Sequence, residues 1–405
     1  MRRSVVAGAP RPVWTLVRDR NYAPFFWGCL VSNVGTWLQS MTAILVVFAL
    51  TRSATAVGLV ATAQYAGHVL LGPVAGQLAD RFDRRAILLV TQTAGLAGAG
   101  WLVLAAAGGL DRPLPIYIGL AVTGSAQAVS VPVMHALVPM LVPEPDLVGA
   151  VALQSLTYNV SRAVGPVLGA ATLVAAGPLT AFAVNAATYL AMLGGVLAAR
   201  PVRRPAGPAL ESRAGAVRFL RAEPLVARRL LLVGAVSIAI DPVTTLAPSV
   251  AARLGGGDQL VGILVSGFGT GAALAVVVAV PAIRRFGESA MIGTGLGLLS
   301  VALVGFANLP AAGAAGAAGL VAGVGFMLGQ TALTTSIQRG IPDRVRGRVM
   351  AVWAVMFLGT RPVAGLANGM LADAVGAGPA VLAPALLLLV ASFAARDRNR
   401  PIRSR

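Results

Sequence analysis

The sequence predicts an all-α integral membrane protein: twelve transmembrane helices in two pseudo-symmetric six-helix bundles. Three observations predict it: too little charge for a surface in water, a succession of apolar stretches of spanning length, and arginines gathered on alternate connections. Of the 405 residues, 57% are hydrophobic and 11% charged, whereas a soluble domain carries about 25% charged residues. Mean hydropathy is +0.80. Such a chain cannot cover a globule with polar groups, so lipid must solvate most of it.

A spanning helix needs about 20 mostly apolar residues. Six such stretches lie near 23–50, 56–79, 86–107, 114–138, 148–175 and 179–199. Six more lie near 230–252, 260–283, 290–309, 312–337, 349–372 and 379–395. The only long connection, 200–229, carries eight arginines. These features divide the chain into a bundle over 1–199, a basic cytoplasmic linker over 200–229, and a second bundle with a basic tail over 230–405.

The formal charge is +18, and all 32 basic residues are arginine. With the N-terminus inside and the connections alternating, 27 arginines fall inside and 3 (Arg52, Arg112 and Arg253) fall outside, while Arg162 and Arg361 lie within helices. This is the positive-inside bias of an even-helix protein with both termini in the cytoplasm. A nucleic-acid binder has no reason to put its arginines on every second loop, so nucleic acid is excluded as a partner. The arginine-rich, alanine-rich composition suggests a bacterium, and hence the cytoplasmic (inner) membrane. The first twenty residues have arginines but no apolar core, so no cleaved leader is expected. The lone Cys29 excludes an internal disulfide, and no metal-ligand spacing appears; neither metal nor cofactor is expected.

The halves echo each other. Pro145-Asp146 and Pro342-Asp343 are 197 residues apart, and Arg84-Arg85 and Arg284-Arg285 are 200 apart. Near-equal offsets with matching topology point to two parallel six-helix repeats.

The second stretch ends Gly76-Gln77-Leu78-Ala79-Asp80-Arg81-Phe82-Asp83-Arg84-Arg85. This resembles the signature loop of the major facilitator superfamily, G-x-L-x-D-R-x-G-R-R, with Asp83 where the pattern has glycine. The resemblance implies a gating loop in which Gly76 permits close helix approach, Asp80 faces a helix N-terminus, and Arg81, Arg84 and Arg85 anchor the turn. Gly165-Pro166-Val167-Leu168-Gly169-Ala170 resembles the fifth-helix element of drug/proton antiporters, with Ala170 for its last glycine. Pro166 frees the carbonyl of Arg162, and Gly165 and Gly169 make a small face for a neighbour. Three further segments are similar to the branch termed transmembrane secretion effectors, which includes enterobactin-type siderophore exporters and macrolide efflux pumps. They are Asn33-Val34-Gly35-Thr36-Trp37, Gly215 to Leu225, and Pro342 to Val349.

That fold implies a midplane cavity lined by helices one, four, seven and ten, and two rocking halves. The candidates for its lining are Asn33, Trp37, Gln39, Gln127, Tyr158, Thr245, Gln330 and Thr334. The alternative for each hydroxyl is a bond to its own helix backbone. Charges inside helices cost about 2.5–3.5 kcal/mol on insertion scales, which marks Asp241, Arg162 and Arg361 as coupling candidates, with His68 beside them. If Asp241 pairs with one arginine, the other lacks an acidic partner, and an anionic substrate would supply it. The competing reading is a structural ion pair that locks the halves.

The function expected is secondary transport: a proton-coupled exporter of a small organic molecule, acting as a monomer with protons and substrate as its partners. An importer or proton symporter is the alternative within transport. A phosphate loop requires lysine, so the chain does not power itself with ATP. Helix interiors hold a single acid, which argues against a membrane-embedded enzyme; a non-transporting sensor is the remaining class.

Overall fold

The computed structural model describes residues 11–200 and 219–396, apart from the side chains of 73–77, 79–81, 343–344, 346–348 and 394–396. Among the described residues there are helices and turns and no strand. In chain order the helices are α1 (Val13–Leu16), α2 (Ala23–Thr51), α3 (Ala54–Arg81), α4 (Arg84–Ala107), α5 (Leu114–Leu141), α6 (Leu147–Ala198), α7 (Pro224–Ile240), α8 (Pro242–Thr245) and α9 (Ala247–Arg253). They continue as α10 (Asp258–Phe286), α11 (Glu288–Asn308), α12 (Ala312–Arg339), α13 (Asp343–Leu358), α14 (Arg361–Val375), α15 (Ala377–Ala380) and α16 (Leu382–Arg396).

Every stretch read from hydropathy falls on helix, but the breaks differ. By length and composition nine segments among the described residues can cross a membrane, or ten if the bent α7–α9 counts as one. Two features account for the difference from twelve. First, α6 runs for 52 residues but contains Gly177 at φ 77°, ψ 174°, a conformation open to glycine and strained for other residues. Pro178 follows and has no N–H to give, so two helices meet there. Second, the last stretch is short, from Ala377 to Phe393. The seventh stretch bends by 44° between Thr245 and Ala247, flanked by Pro242 and Pro248, which cannot donate to the helix ladder. The expected linker boundary at 229 falls inside α7, which begins at Pro224. Arg229 is buried there and donates to the Ser336 carbonyl at 3.4 Å. Residues 201–218 of the linker lie outside the described residues.

Within each half, small residues bring helices together, because packing between helices in lipid gains little from the hydrophobic effect. A Cβ on Gly169 would lie 2.6 Å from the Leu38 carbonyl of α2. In the second half, a Cβ on Gly325 would lie 2.6 Å from the Leu299 nitrogen. Buried amides add specific ties: Gln39 accepts from Asn185 at 2.5 Å and donates to Thr123 at 3.4 Å.

The halves meet along two seams, α3 with α14 and α6 with α10. Thr62 donates to the Pro362 carbonyl at 2.8 Å, and Val167 N–H donates to the Ser266 hydroxyl at 3.1 Å. A Cβ on Gly58 would collide with the Gly365 carbonyl. Asp373, in the last turn of α14, accepts from the Ser53 hydroxyl (2.6 Å) and from the N–H groups of Ala54 (2.7 Å) and Thr55 (2.9 Å). A carboxylate of one half therefore caps the first helical turn of α3 in the other. Hydrogen bonds between the halves include some at mid-helix and a cluster toward the turns at 51–54 and 375–377, the end remote from both termini.

Candidate functional site

Between the seams is a cavity of about 50 Å³ lined by residues of both halves, among them Trp37, Gln64, Tyr65, Arg162, Asp241, Thr245, Phe268 and Arg361. The kinked seventh stretch places Asp241 at the α7–α8 junction, α14 begins at Arg361, and α6 carries Arg162 one turn before Pro166.

Arg162 is buried, and its guanidinium carbon lies 4.6 Å from the Phe268 ring centroid, 4.8 Å from Phe326 and 5.7 Å from Trp37. Desolvated cation–π contacts of this kind contribute about 0.5–2 kcal/mol each. Among the described residues it has no hydrogen bond or ion pair. Arg361 donates through Nη1 to the Tyr65 hydroxyl at 2.8 Å and lies 4.8 Å from that ring and 5.3 Å from Phe357. Its buried Nε has no partner among the described residues.

The expected pairing of Asp241 with an arginine does not occur. Among the described residues neither arginine has a carboxylate within 4.0 Å. Asp241 Oδ2 instead accepts from Asn368 Nδ2 at 3.0 Å. Asn368 and Arg361 are seven residues apart on one face of α14, about 10 Å along its axis. The amide occupies the carboxylate, and the guanidinium turns away onto Tyr65.

His68 packs its ring 5.6 Å from Tyr65, and its buried Nδ1 has no partner. Trp37 and Thr245 line the cavity, and Tyr158 meets Trp37 edge-on at 6.1 Å. The structure does not bring three other cavity candidates there. Asn33 donates to Thr157 at 3.3 Å, Gln39 joins Thr123 and Asn185, and Gln127 donates to Thr36 at 3.0 Å. These polar groups tie helices of the first half together. Gln330 is buried with both amide atoms unpartnered among the described residues, and Thr334 lies one turn beyond it.

Gly165 and Gly169 pack against α2, with Trp37 Cβ, Leu38 and Met41 next to where their Cβ atoms would be. The carbonyl freed by Pro166, that of Arg162, lies against Gly269 of α10, where a Cβ would come within 2.5 Å. In the signature loop, Gly76, Asp80 and Arg81 have helical backbone, but their side chains lie outside the described residues. Asp83 caps α4 by accepting from Arg85 N–H at 3.1 Å, so an acid at this position completes the turn without a glycine conformation. Arg84 donates to the Ala136 carbonyl at 3.1 Å. Arg85 donates to Val196 at 2.9 Å and to Leu197. The Val196 and Leu197 carbonyls are among the last of α6, which lack internal donors. Sequence reasoning missed Tyr65, Phe268, Phe326, Phe357, Asn368 and Asp373. A heptad count from Arg361 would have put Asn368 on its face; the aromatic residues carry no such mark in an apolar run.

Two helical bundles meeting around buried charges, in a chain of membrane-spanning helices, define a membrane transport protein rather than an enzyme. The chain belongs to the transmembrane secretion effector family of the major facilitator superfamily, whose family model matches residues 13–402. It is 27% identical over 395 residues to the enterobactin exporter EntS of Shigella boydii, covering 93% of each chain. Similarity to the uncharacterized MFS-type transporter YfiS of Bacillus subtilis is 28% identity over 160 residues, 39% of this chain and 37% of that protein. With the enterobactin exporter of Citrobacter koseri it spans 60% of the relative's length. Among solved structures it is similar to a bacterial homologue of the iron transporter ferroportin in an inward-facing state (TM-score 0.69, 15% identity, 93% and 98% of the chains). It is also similar to the D-xylose–proton symporter (TM-score 0.70, 14% identity, 94% and 99%). These two likenesses concern the fold alone.

Proposed function

We propose that this transporter is a proton-coupled exporter of a small organic molecule, working by alternating access in the bacterial cytoplasmic membrane with both termini in the cytoplasm. One observation carries the reading. Buried charges from both halves, Arg162 from the first and Asp241 and Arg361 from the second, line one cavity at a seam that is hydrogen-bonded toward one end. Rocking about such a seam exposes the cavity to each side in turn. The relatives named as exporters support the direction. The basic loops support an orientation in which the end at the turns 51–54 and 375–377 faces outward. Asp80, Arg81 and Gly76 then belong to the gate at the opposite end.

Asp241 is the coupling group in this reading. A proton arriving on its carboxylate cancels the charge and weakens the bond from Asn368, since charge-assisted hydrogen bonds are roughly twice as strong as neutral ones. The α7–α14 contact loosens as the proton enters. Inside-out vesicles energised by respiration test this. Compounds from an antibiotic and siderophore panel are added, and proton efflux is followed with a pH-quenched acridine dye. At least one compound should dissipate the gradient with the wild-type chain, and none with Asp241→Asn at equal expression. Full dissipation by the Asn variant would make Asp241 a structural residue.

A further inference from the structure

Four rings form a continuous run that starts at the cavity wall with Phe268 and leads into the second half. Phe268 lies 5.6 Å from Phe326, Phe326 stacks on Phe357 at 6.3 Å and 19°, and Phe357 stacks on Trp353 at 5.3 Å and 25°. Guanidinium groups flank it: Arg162 sits over Phe268 and Phe326, and Arg361 over Phe357. Beside the run are buried hydrogen-bonding atoms with no partner among the described residues: both amide atoms of Gln330, one turn beyond Phe326 on α12, the indole Nε1 of Trp353, and Nε of Arg361.

Each of these is costly in the empty protein. A buried donor or acceptor without a partner loses its hydration and gains nothing in return, and a buried cation without a counter-charge loses more. Asp241 is held by Asn368, and among the described residues it lies beyond 4.0 Å of either guanidinium. Packing alone would be served by leucine at 330 and 353 and by methionine at 162. The groups therefore suit something that arrives. It must carry negative charge for the guanidinium edges, a flat face for the ring run, and a polar substituent for the Gln330 amide and the Trp353 indole N–H. A neutral molecule leaves the arginines unpaired, a cation is repelled, and an aliphatic acid leaves the rings unused.

We infer that the transported substrate is an aromatic acid whose oxyanion lies against Arg162 and Arg361, and whose ring lies against Phe357 and Trp353. Gln330 reads a polar group on that ring. This rests on the transport reading above and adds the substrate class. Because Arg162 and Arg361 belong to different halves, the bound oxyanion bridges them.

The test is equilibrium dialysis of the purified full chain in detergent against 2-naphthoate, 2-naphthamide and octanoate. Naphthoate should bind at least about tenfold tighter than either of the others, the equivalent of one good polar or ring contact. Arg162→Gln and Arg361→Gln should each erase the preference for acid over amide. Arg162→Lys, which keeps the charge but not the flat guanidinium, should retain the preference at lower affinity. Phe357→Leu should erase the preference for naphthoate over octanoate. Thermal melts identify any variant that fails to fold, and the remaining variants then decide. Equal binding of acid and amide, no naphthoate binding by the wild-type chain, or an unchanged preference in folded Arg162→Gln overturns the proposal. Dialysis involves no gradient. Selective naphthoate binding without any proton response would therefore overturn the coupled-export reading and leave this site standing.

Discussion

Gln330 illustrates how a single side chain reports on function through its cost. Its amide is buried in α12 with neither nitrogen nor oxygen satisfied. Removing an unsatisfied buried polar group recovers about 1–3 kcal/mol, and leucine nearly matches its volume. The expected outcome for Gln330→Leu is thus a purified protein that melts at a higher temperature than wild type, together with weaker ligand binding. A lower melting temperature would mean that the amide has a partner holding the fold, and would remove it from the site. At this scale the charged residues were legible in the sequence and their partners were not. Arg162, Asp241 and Arg361 stand out because each breaks an apolar run at a known energetic cost. Phe326 and Phe357 look like any other core residue there. That Asp241 faces Asn368 rather than an arginine depends on the rotation of α14 about its axis, which composition does not encode.

At the scale of elements, the α3–α14 seam combines backbone approach, the mid-helix bonds of Thr62 and Arg361, and one carboxylate at its end. Gly58, Gly365 and Gly369 let the two helices touch, and Asp373 caps α3 across the interface. A charge at a helix N-terminus contributes about 0.3–1 kcal/mol, or up to about 2 when partly buried. Asp373→Asn should therefore shift the balance between access states by roughly two- to thirtyfold toward opening at this end, without loss of folding. A cysteine pair at the turns that end this seam, Thr51→Cys with Val375→Cys, in a Cys29→Ser background measures it. The pair should cross-link readily in the parent chain, more slowly with Asp373→Asn added, and transport should stop until the disulfide is reduced. Equal cross-linking rates would deny Asp373 a latching role. The helices themselves were readable from hydropathy because lipid demands long apolar runs. The latch was not, since an acid in the last turn of a span resembles any loop-facing acid until the other half is placed against it. The reverse holds for Asp83, where the sequence pattern asks for glycine and a side-chain cap completes the same turn.

For the whole molecule, orientation decides what the Asp373 cap means. The arginine bias predicts both termini in the cytoplasm, and the Asp373 cap lies at the end of the bundle remote from them. On that orientation the Asp373 cap faces outward, and Tyr158, 40% exposed, packs edge-on against the cavity residue Trp37. Thiol labelling in a Cys29→Ser background separates the two premises. Arg112 lies on the exposed connection between α4 and α5, paired only with its neighbour Asp111. Arg112→Cys should react with an impermeant maleimide on intact cells, and Arg344→Cys should react only after the cells are opened. The reverse pattern inverts the protein in the membrane and turns the capped end inward. Tyr158→Cys should follow Arg344→Cys in a resting cell, and a coupling-competent chain supplied with substrate should gain labelling from outside as the seam opens. Protection of Tyr158→Cys from both sides under every condition would mean that the halves do not rock, and the alternating-access reading would fall with it.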